Sequence, residues 1–173
     1  MYIDSYFEAV GRLVRQLEEG QRDAIDRAAV LVSACLRQQG VVHVYDEDGW
    51  LRHEVTGRAG ALFALTPFHF ECVVQNPVAR RAGETLDYSG ALLNEVAAAL
   101  DYSNVRPKDV MVLHCFDGVS QRAIELARQC VDRGVVTVGL ASEAHMRAQA
   151  PRHTSEHKLA RVVDIFVDTC APK

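Results

Sequence analysis

Asp109-Val-Met-Val-Leu-His-Cys-Phe-Asp-Gly-Val-Ser-Gln-Arg-Ala-Ile-Glu-Leu-Ala127 is the stretch that decides the fold. Val110 to Cys115 is an apolar, β-rich run and reads as a strand. Phe116-Asp117-Gly118 reads as a tight turn. Beyond it Val119, Ala123, Ile124 and Ala127 recur at helical spacing. Strand, turn and helix make half of a βαβ unit, with Asp117 placed as the helix N-cap. A helix N-terminus carries free N–H groups and partial positive charge, so this spot suits an anion. Here a carboxylate already stands beside it.

Toward the C-terminus, Gly134 stops the helix and Val135–Leu140 reads as a fourth strand. Residues 144–150 are helical or irregular, 151–158 are polar, and Val162–Val167 makes a fifth strand. Toward the N-terminus, Thr85–Leu100 reads as a helix, Gln75–Gly83 as a loop and Phe68–Val74 as the second strand. Trp50–Leu65 has a helical pattern that Gly57 and Gly60 interrupt. Val41–Tyr45 is the first strand, followed by the turn Asp46-Glu-Asp-Gly49. Two amphipathic helices, 4–19 and 21–38, are expected ahead of it, divided by Gly20. The first has the stripe Phe7, Val10, Leu13, Val14 and Leu17, suited to packing or to a dimer surface. Strands alternating with helices predict an α/β domain with a parallel sheet and right-handed crossovers. With no linker, repeat or low-complexity segment, residues 1–173 are taken as one domain: helices in 1–39 and an α/β core in 40–173. Ligands of such sheets bind beyond the C-terminal strand ends. Those ends are Tyr45–Gly49, Gln75–Arg81, Phe116–Gln121 and Ala141–His145.

The formal net charge of -4 gives no reason to expect nucleic acid or an anionic membrane as partner. The five cysteines are odd in number and form no CxxC, which reads as reduced, mostly buried thiols in a cytoplasmic protein. The first residues lack a basic region before an apolar one, so no signal peptide is expected. No apolar run approaches membrane-spanning length. His43 and His114 fall inside strands and read as core or interface residues. Cys115 reads as a structural thiol. His153 and His157 have the spacing of two metal ligands on a helical turn, but spacing fixes no third ligand. No metal or cofactor is expected.

The chain resembles the sugar isomerase (SIS) domain superfamily, in particular an uncharacterised bacterial branch described as phosphosugar-binding. The resemblance covers nearly the whole length. It is carried by Glu54 with Arg58-Ala-Gly-Ala-Leu62, by Arg106-Pro-Lys-Asp-Val110, and by Asp117-Gly118 with Ile124-Glu125. It continues in Ser142, in Arg152-His-Thr-Ser155 with Lys158-Leu159, and in Val163-Asp-Ile-Phe-Val-Asp168. The resemblance implies a three-layer αβα sandwich around a flavodoxin-like five-stranded parallel sheet of order 2-1-3-4-5. It also implies a homodimer with its site near the subunit boundary, and a phosphorylated sugar or another carbohydrate derivative as ligand. In related isomerases Glu or His moves the proton through an enediol. Carried onto this sequence, Glu54 and His153 are the candidate bases. The candidate ligand-binding residues are Asp46, Asp48, Arg58, Asp117, Gly118, Ser120, Ser142, Arg152 and Lys158.

The phosphate end departs from the family pattern. Counting back from Arg58 places Val44, Asp46 and Asp48 where the first loop has two glycines and a serine. The second loop reads Asp117-Gly-Val-Ser120 where a Ser-Gly-x-Asn is usual. Two like charges about 4 Å apart repel by roughly 1 kcal/mol in water and about 4 at an effective dielectric of 20. A phosphate between Asp48 and Asp117 meets that repulsion more than once. Two functions follow: a carbohydrate-derivative binder of isomerase ancestry, or a non-catalytic SIS domain acting as a dimerising or regulatory partner. Asp46-Glu-Asp-Gly49 also resembles the DxDG loop of haloacid dehalogenase-like phosphatases, although Trp50 stands where that family has Thr.

Overall fold

The computed structural model describes residues 2–56, 59–60, 63–73 and 89–172. Strands β1 (Val42–Asp46), β2 (Leu65–Phe68), β3 (Val110–His114), β4 (Val136–Ala141) and β5 (Ile165–Asp168) form one sheet. Its order is β2-β1-β3-β4-β5 and all four pairings are parallel, the expected arrangement. The helices are α1 (Tyr2–Arg37), α2 (Trp50–Val55), α3 (Ser89–Asp101), α4 (Gln121–Asp132) and α5 (Glu143–Ala148), and a 3-10 turn spans Leu159–Arg161.

The two-residue period of a strand splits the core between the two faces of the sheet. Val42, Val110, Val138, Ile165 and Val167 meet Ala24, Ala28, Leu31 and Val32 of α1. Met111 and Leu113 face the other way, toward Val96 and Leu100 of α3 and Ile124, Leu126 and Cys130 of α4. Burial of each large side chain among these stabilises by about 1.5–3 kcal/mol. Both faces of β3 are therefore covered, which is why its sequence is apolar throughout rather than alternating.

Several boundaries differ from the expected ones, each for a physical reason. The two N-terminal helices are one 36-residue helix with Gly20 inside it. An interior glycine costs a helix only about 1 kcal/mol; the pair Glu18–Arg22 spans it and Asp23–Arg27 follows on the next turn. At about 1.5 Å per residue such a helix is roughly 54 Å long. Its C-terminal half packs on the sheet. Its N-terminal half leaves Tyr2, Ile3, Tyr6, Phe7, Val10 and Val14 exposed. The second strand is Leu65–Phe68, not 68–74, and contains Pro67. Because β2 is an edge strand, the missing proline N–H is tolerated. The helix expected over 50–65 stops at Val55. The fifth strand starts at Ile165, after the 3-10 turn. The first turn expected of α3 and the 75–83 loop lie outside the described residues.

Candidate functional site

Two loops meet at the C-terminal ends of β1 and β3. In the second, Asp117 is not the helix cap. Its Oδ1 accepts from the Val119 N–H at 3.1 Å, two residues on, forming an Asx turn. Gly118 follows at φ +65, and Ser120 caps α4 by accepting from the Ala123 N–H at 3.2 Å. The left-handed residue delays the helix by three positions, which residue type alone did not reveal. In the first loop, Asp48 reaches across to accept from the Phe116 N–H at 2.8 Å, and the Glu47 N–H donates to the His114 carbonyl at 3.0 Å. The two loops thus hold each other through backbone groups.

Between them lies an open pocket of about 490 Å³. Its walls include Glu47, Asp48, Cys115, Phe116, Asp117, Ser120, Gln121, Arg122 and Arg152. Arg152 pairs with Asp117 at 3.4 Å, with half of its side chain exposed. Arg122 sits deeper. Its Nη2 lies 3.2 Å from both oxygens of Glu95, and its guanidinium covers the Phe70 ring at 5.5 Å. Burial works against the Arg122 charge, but Glu95 outweighs it and the guanidinium pKa is raised. Tyr45 donates to Glu47, and burial followed by that carboxylate pushes its pKa well above the ordinary value. Burial, with Asp117 adding to it, pushes the Cys115 thiol up to about 12. It stays protonated at neutral pH and is no nucleophile.

Asp46, Asp48 and His114 converge beside this pocket. Asp46 and His114 are register partners on neighbouring strands. His114 Nδ1 lies 2.8 Å from Asp46 Oδ1 and 3.9 Å from Asp48 Oδ2. Asp46 is fully buried at its side chain, His114 nearly so, and Asp48 about one-third exposed. The three donor atoms lie within 4.8 Å of one another, the one group among the described residues that could hold a metal ion.

The structure brings Asp48, Asp117, Ser120 and Arg152 onto the pocket wall, with Asp46 adjoining through His114. Gly118 forms the turn beneath it. A Cβ there would meet Met146 Sδ at 2.8 Å, so no larger residue fits without movement. Arg58 lies outside the described residues. Glu54 is exposed on α2 and is not among the residues lining the pocket. His153 is buried, its Nδ1 2.8 Å from Ser155 Oγ and its Nε2 2.9 Å from the buried Glu125 carboxylate. It stands behind α4 with both ring nitrogens engaged. Ser142 caps α5 by accepting from the His145 N–H, and donates to the Ala171 carbonyl. Lys158 donates to the carbonyls of Met146 and Gln149 at 2.7 Å, holding the end of α5. These last two are structural contacts away from the pocket.

Sequence reasoning missed Arg122, Glu47 and Glu95 on the pocket side and His114 in the carboxylate cluster. Arg122 follows the Ser120 cap by two positions, so its placement was available once the cap was known. His114 looked like core because it ends an apolar strand.

A family model described as SIS domain matches residues 5–142. A UPF0309 protein of Geobacillus kaustophilus is 25% identical over 169 residues, covering 96% of this chain and 65% of that protein. The chain thus spans just under two thirds of that relative's length. The solved phosphoheptose isomerase of Francisella tularensis superimposes with a TM-score of 0.63 at 16% identity, covering 99% of this chain and 84% of that one. The sugar isomerase domain of an RpiR transcription factor from Sphaerobacter thermophilus gives 0.50 at 17%, covering 97% and 74%. At these identities the structural likeness speaks for the fold.

Proposed function

This chain belongs to the SIS domain family, and from that premise we propose that its pocket binds a sugar phosphate or another carbohydrate derivative. The observation that carries the reading is the placement of Arg122 and Arg152 on a pocket at the crevice of a parallel sheet, beside the Ser120-capped start of α4. Guanidiniums offer several fixed N–H donors to an oxyanion or to sugar hydroxyls. The carboxylates of Glu47, Asp48 and Asp117 supply acceptors for hydroxyl or amino groups on the same ligand. The SIS family match, together with the phosphoheptose isomerase that shares this fold, supports the same ligand class.

Binding without isomerisation is the form this reading takes. Glu54 lies off the pocket wall and His153 is enclosed by Glu125 and Ser155, so neither base candidate faces a bound sugar. A ligand-sensing or dimerising role follows. The exposed apolar N-terminal stripe of α1 supports a homodimer. All five cysteines are unpaired, which supports a reducing, cytoplasmic setting. None of the helices described is long and apolar enough to cross a membrane.

Calorimetric titration of the full chain with hexose 6-phosphates, parent hexoses and amino sugars tests the reading, with and without divalent ions. At least one member should bind, and Arg122→Gln should weaken it about tenfold, or about 1.4 kcal/mol. A panel in which nothing binds under either condition defeats the proposal.

A further inference from the structure

We propose that the N-terminal half of α1 docks onto the same half of a second copy, the two helices antiparallel, with Ile3 of each opposite Val14 of the other. This deepens the homodimer reading above and rests on it; it is independent of the pocket's ligand.

The helix outruns the sheet. Gln21 Oε1 accepts from the Asp168 N–H at 3.0 Å, so α1 passes the C-terminal end of β5 at that point. Its residues from Ala24 onward pack on the sheet, and those before Gln21 project past the strands for roughly 28 Å. A helix of this length is marginal in water on its own, and Gly11 and Gly20 weaken it further. On it Tyr2, Ile3, Tyr6, Phe7, Val10 and Val14 are exposed, Tyr2 almost completely. Aromatic side chains present about 150–250 Å² each, so the six together expose roughly 700 Å². The largest apolar patch of an ordinary monomer is about 300–600 Å². A standard interface takes about 800 Å² from each partner. One such stripe laid on another supplies most of the area that a stable dimer needs.

Helical phase fixes the orientation. Ile3, Phe7, Val10 and Val14 follow one another at steps of four, three and four residues. The same line continues through Ala24, Ala28 and Leu31 into the contact with the sheet. A helix laid on the stripe therefore lies end-on to the C-terminal edge of the sheet. Parallel to α1, it would drive its own sheet-covered half into that edge. Antiparallel, its body lies beyond the start of α1, and the two projecting halves overlap freely. Size agrees with this direction. A two-fold axis between Glu8 and Ala9 sets Ile3 against Val14 and Phe7 against Val10, large against small, so the side chains interdigitate. The stripe thus maps onto itself, as a two-fold contact between identical chains requires.

A cavity completes the fit. Leu13, Gln16 and Gly20 form one wall of an open cavity of about 530 Å³, and Ala144, Ala171 and Pro172 lie across it. Tyr2 and Tyr6 stand on the same flank of α1 as Leu13. An antiparallel two-fold pairing brings like flanks together, and helical side chains lean toward their own N-terminus. The Tyr2 and Tyr6 rings of each copy then lean along the other copy into this cavity. Arg12 and Gln16 on its wall can meet their hydroxyls.

Sedimentation equilibrium of the full chain at micromolar concentration should give a dimer. Ile3→Glu and Val14→Lys each place an unpaired charge in the contact and should weaken association at least tenfold. Both positions are exposed in the single chain, so the fold is kept, which circular dichroism checks. Mixed in equal amounts, the two variants should associate at least tenfold more tightly than either alone. The antiparallel contact pairs the two introduced charges, whereas a parallel one leaves them roughly 16 Å apart. Tyr2→Ala should weaken the dimer about tenfold by emptying the cavity. A monomeric wild type overturns this proposal and the homodimer reading together. A dimer that the single variants leave intact, or whose weakening the mixture does not reverse, overturns the antiparallel contact and leaves the homodimer reading standing. A Tyr2→Ala protein that associates as wild type does overturns the place given to the cavity.

Discussion

Gly118→Ala measures how tightly the turn under the pocket is specified. Gly118 sits at φ +65, where a Cβ costs roughly 1 kcal/mol. The added methyl also lies 2.8 Å from Met146 Sδ, 3.0 Å from its Cγ and 3.2 Å from its Cβ. Overpacking of this kind costs about 1–3 kcal/mol, and the flexible thioether keeps the figure near the lower end. The expected total is about 2–3 kcal/mol. With a urea slope of about 2 kcal/mol/M, the unfolding midpoint falls by roughly 1–1.5 M. A double-mutant cycle with Met146→Ala separates the two causes: removing Met146 relieves the contact but not the backbone strain. The double variant should be less destabilised than the sum of the singles by about 1 kcal/mol or more. A Gly118→Ala protein within 0.5 kcal/mol of wild type would refute the whole account, and strict additivity would refute the contact with Met146.

Asp109 accepts from the backbone N–H groups of Val41 and Arg106 at 2.9 and 2.8 Å, and from His43 at 3.2 Å. Burial alone would raise its pKa; these bonds outweigh burial and hold it below the ordinary carboxylate value. A depressed folded pKa contributes stability that is present above the unfolded value of about 3.9 and lost as pH falls below it. Asp109→Asn should cost about 2–3 kcal/mol at pH 7, and its stability measured from pH 6 down to 3 should fall less steeply than wild type; equal slopes would show that Asp109 does not titrate differently on folding. Phe7→Asp, on the exposed stripe of α1, should shift sedimentation toward the monomer at micromolar concentration; a variant that stays dimeric would show that another surface joins the copies, and a wild type that is already monomeric would refute the dimer.

How much of this was legible in the sequence depends on where the burial falls. β3 and β4 are covered on both faces, so their apolar runs are unbroken and their placement was plain from residues 110–115 and 135–140. β2 is an edge strand with Pro67 inside it, and its weak pattern of exposed and buried positions gave no such signal. The apolar run after it, Phe68 to Val74, drew the expected strand several residues too far along. Gly20 read as a break because a glycine weakens a helix locally, whereas the i,i+4 pairs around it act over the neighbouring turns. At the site, both aspartates on the pocket wall were named through the family resemblance, in loops at the C-terminal strand ends. The helix cap was not, because residue type alone does not tell an Asx turn from an N-cap when Asp117 and Ser120 both suit either role. His153 and Lys158 belong to blocks that resemble family motifs, yet they hold Glu125 and the end of α5. The resemblance assigned both positions to the ligand or the chemistry, whereas the structure gives them these contacts within the fold.

Asp48 and Asp117 at the two loops determine what the loop N–H groups bind, as well as the charge. A helix N-terminus beside a strand end presents donors that an external phosphate commonly satisfies. Here the Phe116 N–H goes to Asp48, the Val119 N–H to Asp117 and the Ala123 N–H to Ser120. The acceptors for these groups are supplied from within the chain, so the loops are ordered before any ligand arrives. That arrangement leaves an excess of negative charge, since accepting an N–H bond stabilises a carboxylate without neutralising it. A ligand entering this pocket therefore has little to gain from the backbone and must satisfy the side chains. It can do so with donors of its own toward Asp48 and Asp117, or with an oxyanion toward the arginines. The interlocked loops, rather than any single residue, thus leave the side chains of the pocket wall, carboxylates and guanidiniums together, as the groups a ligand would meet.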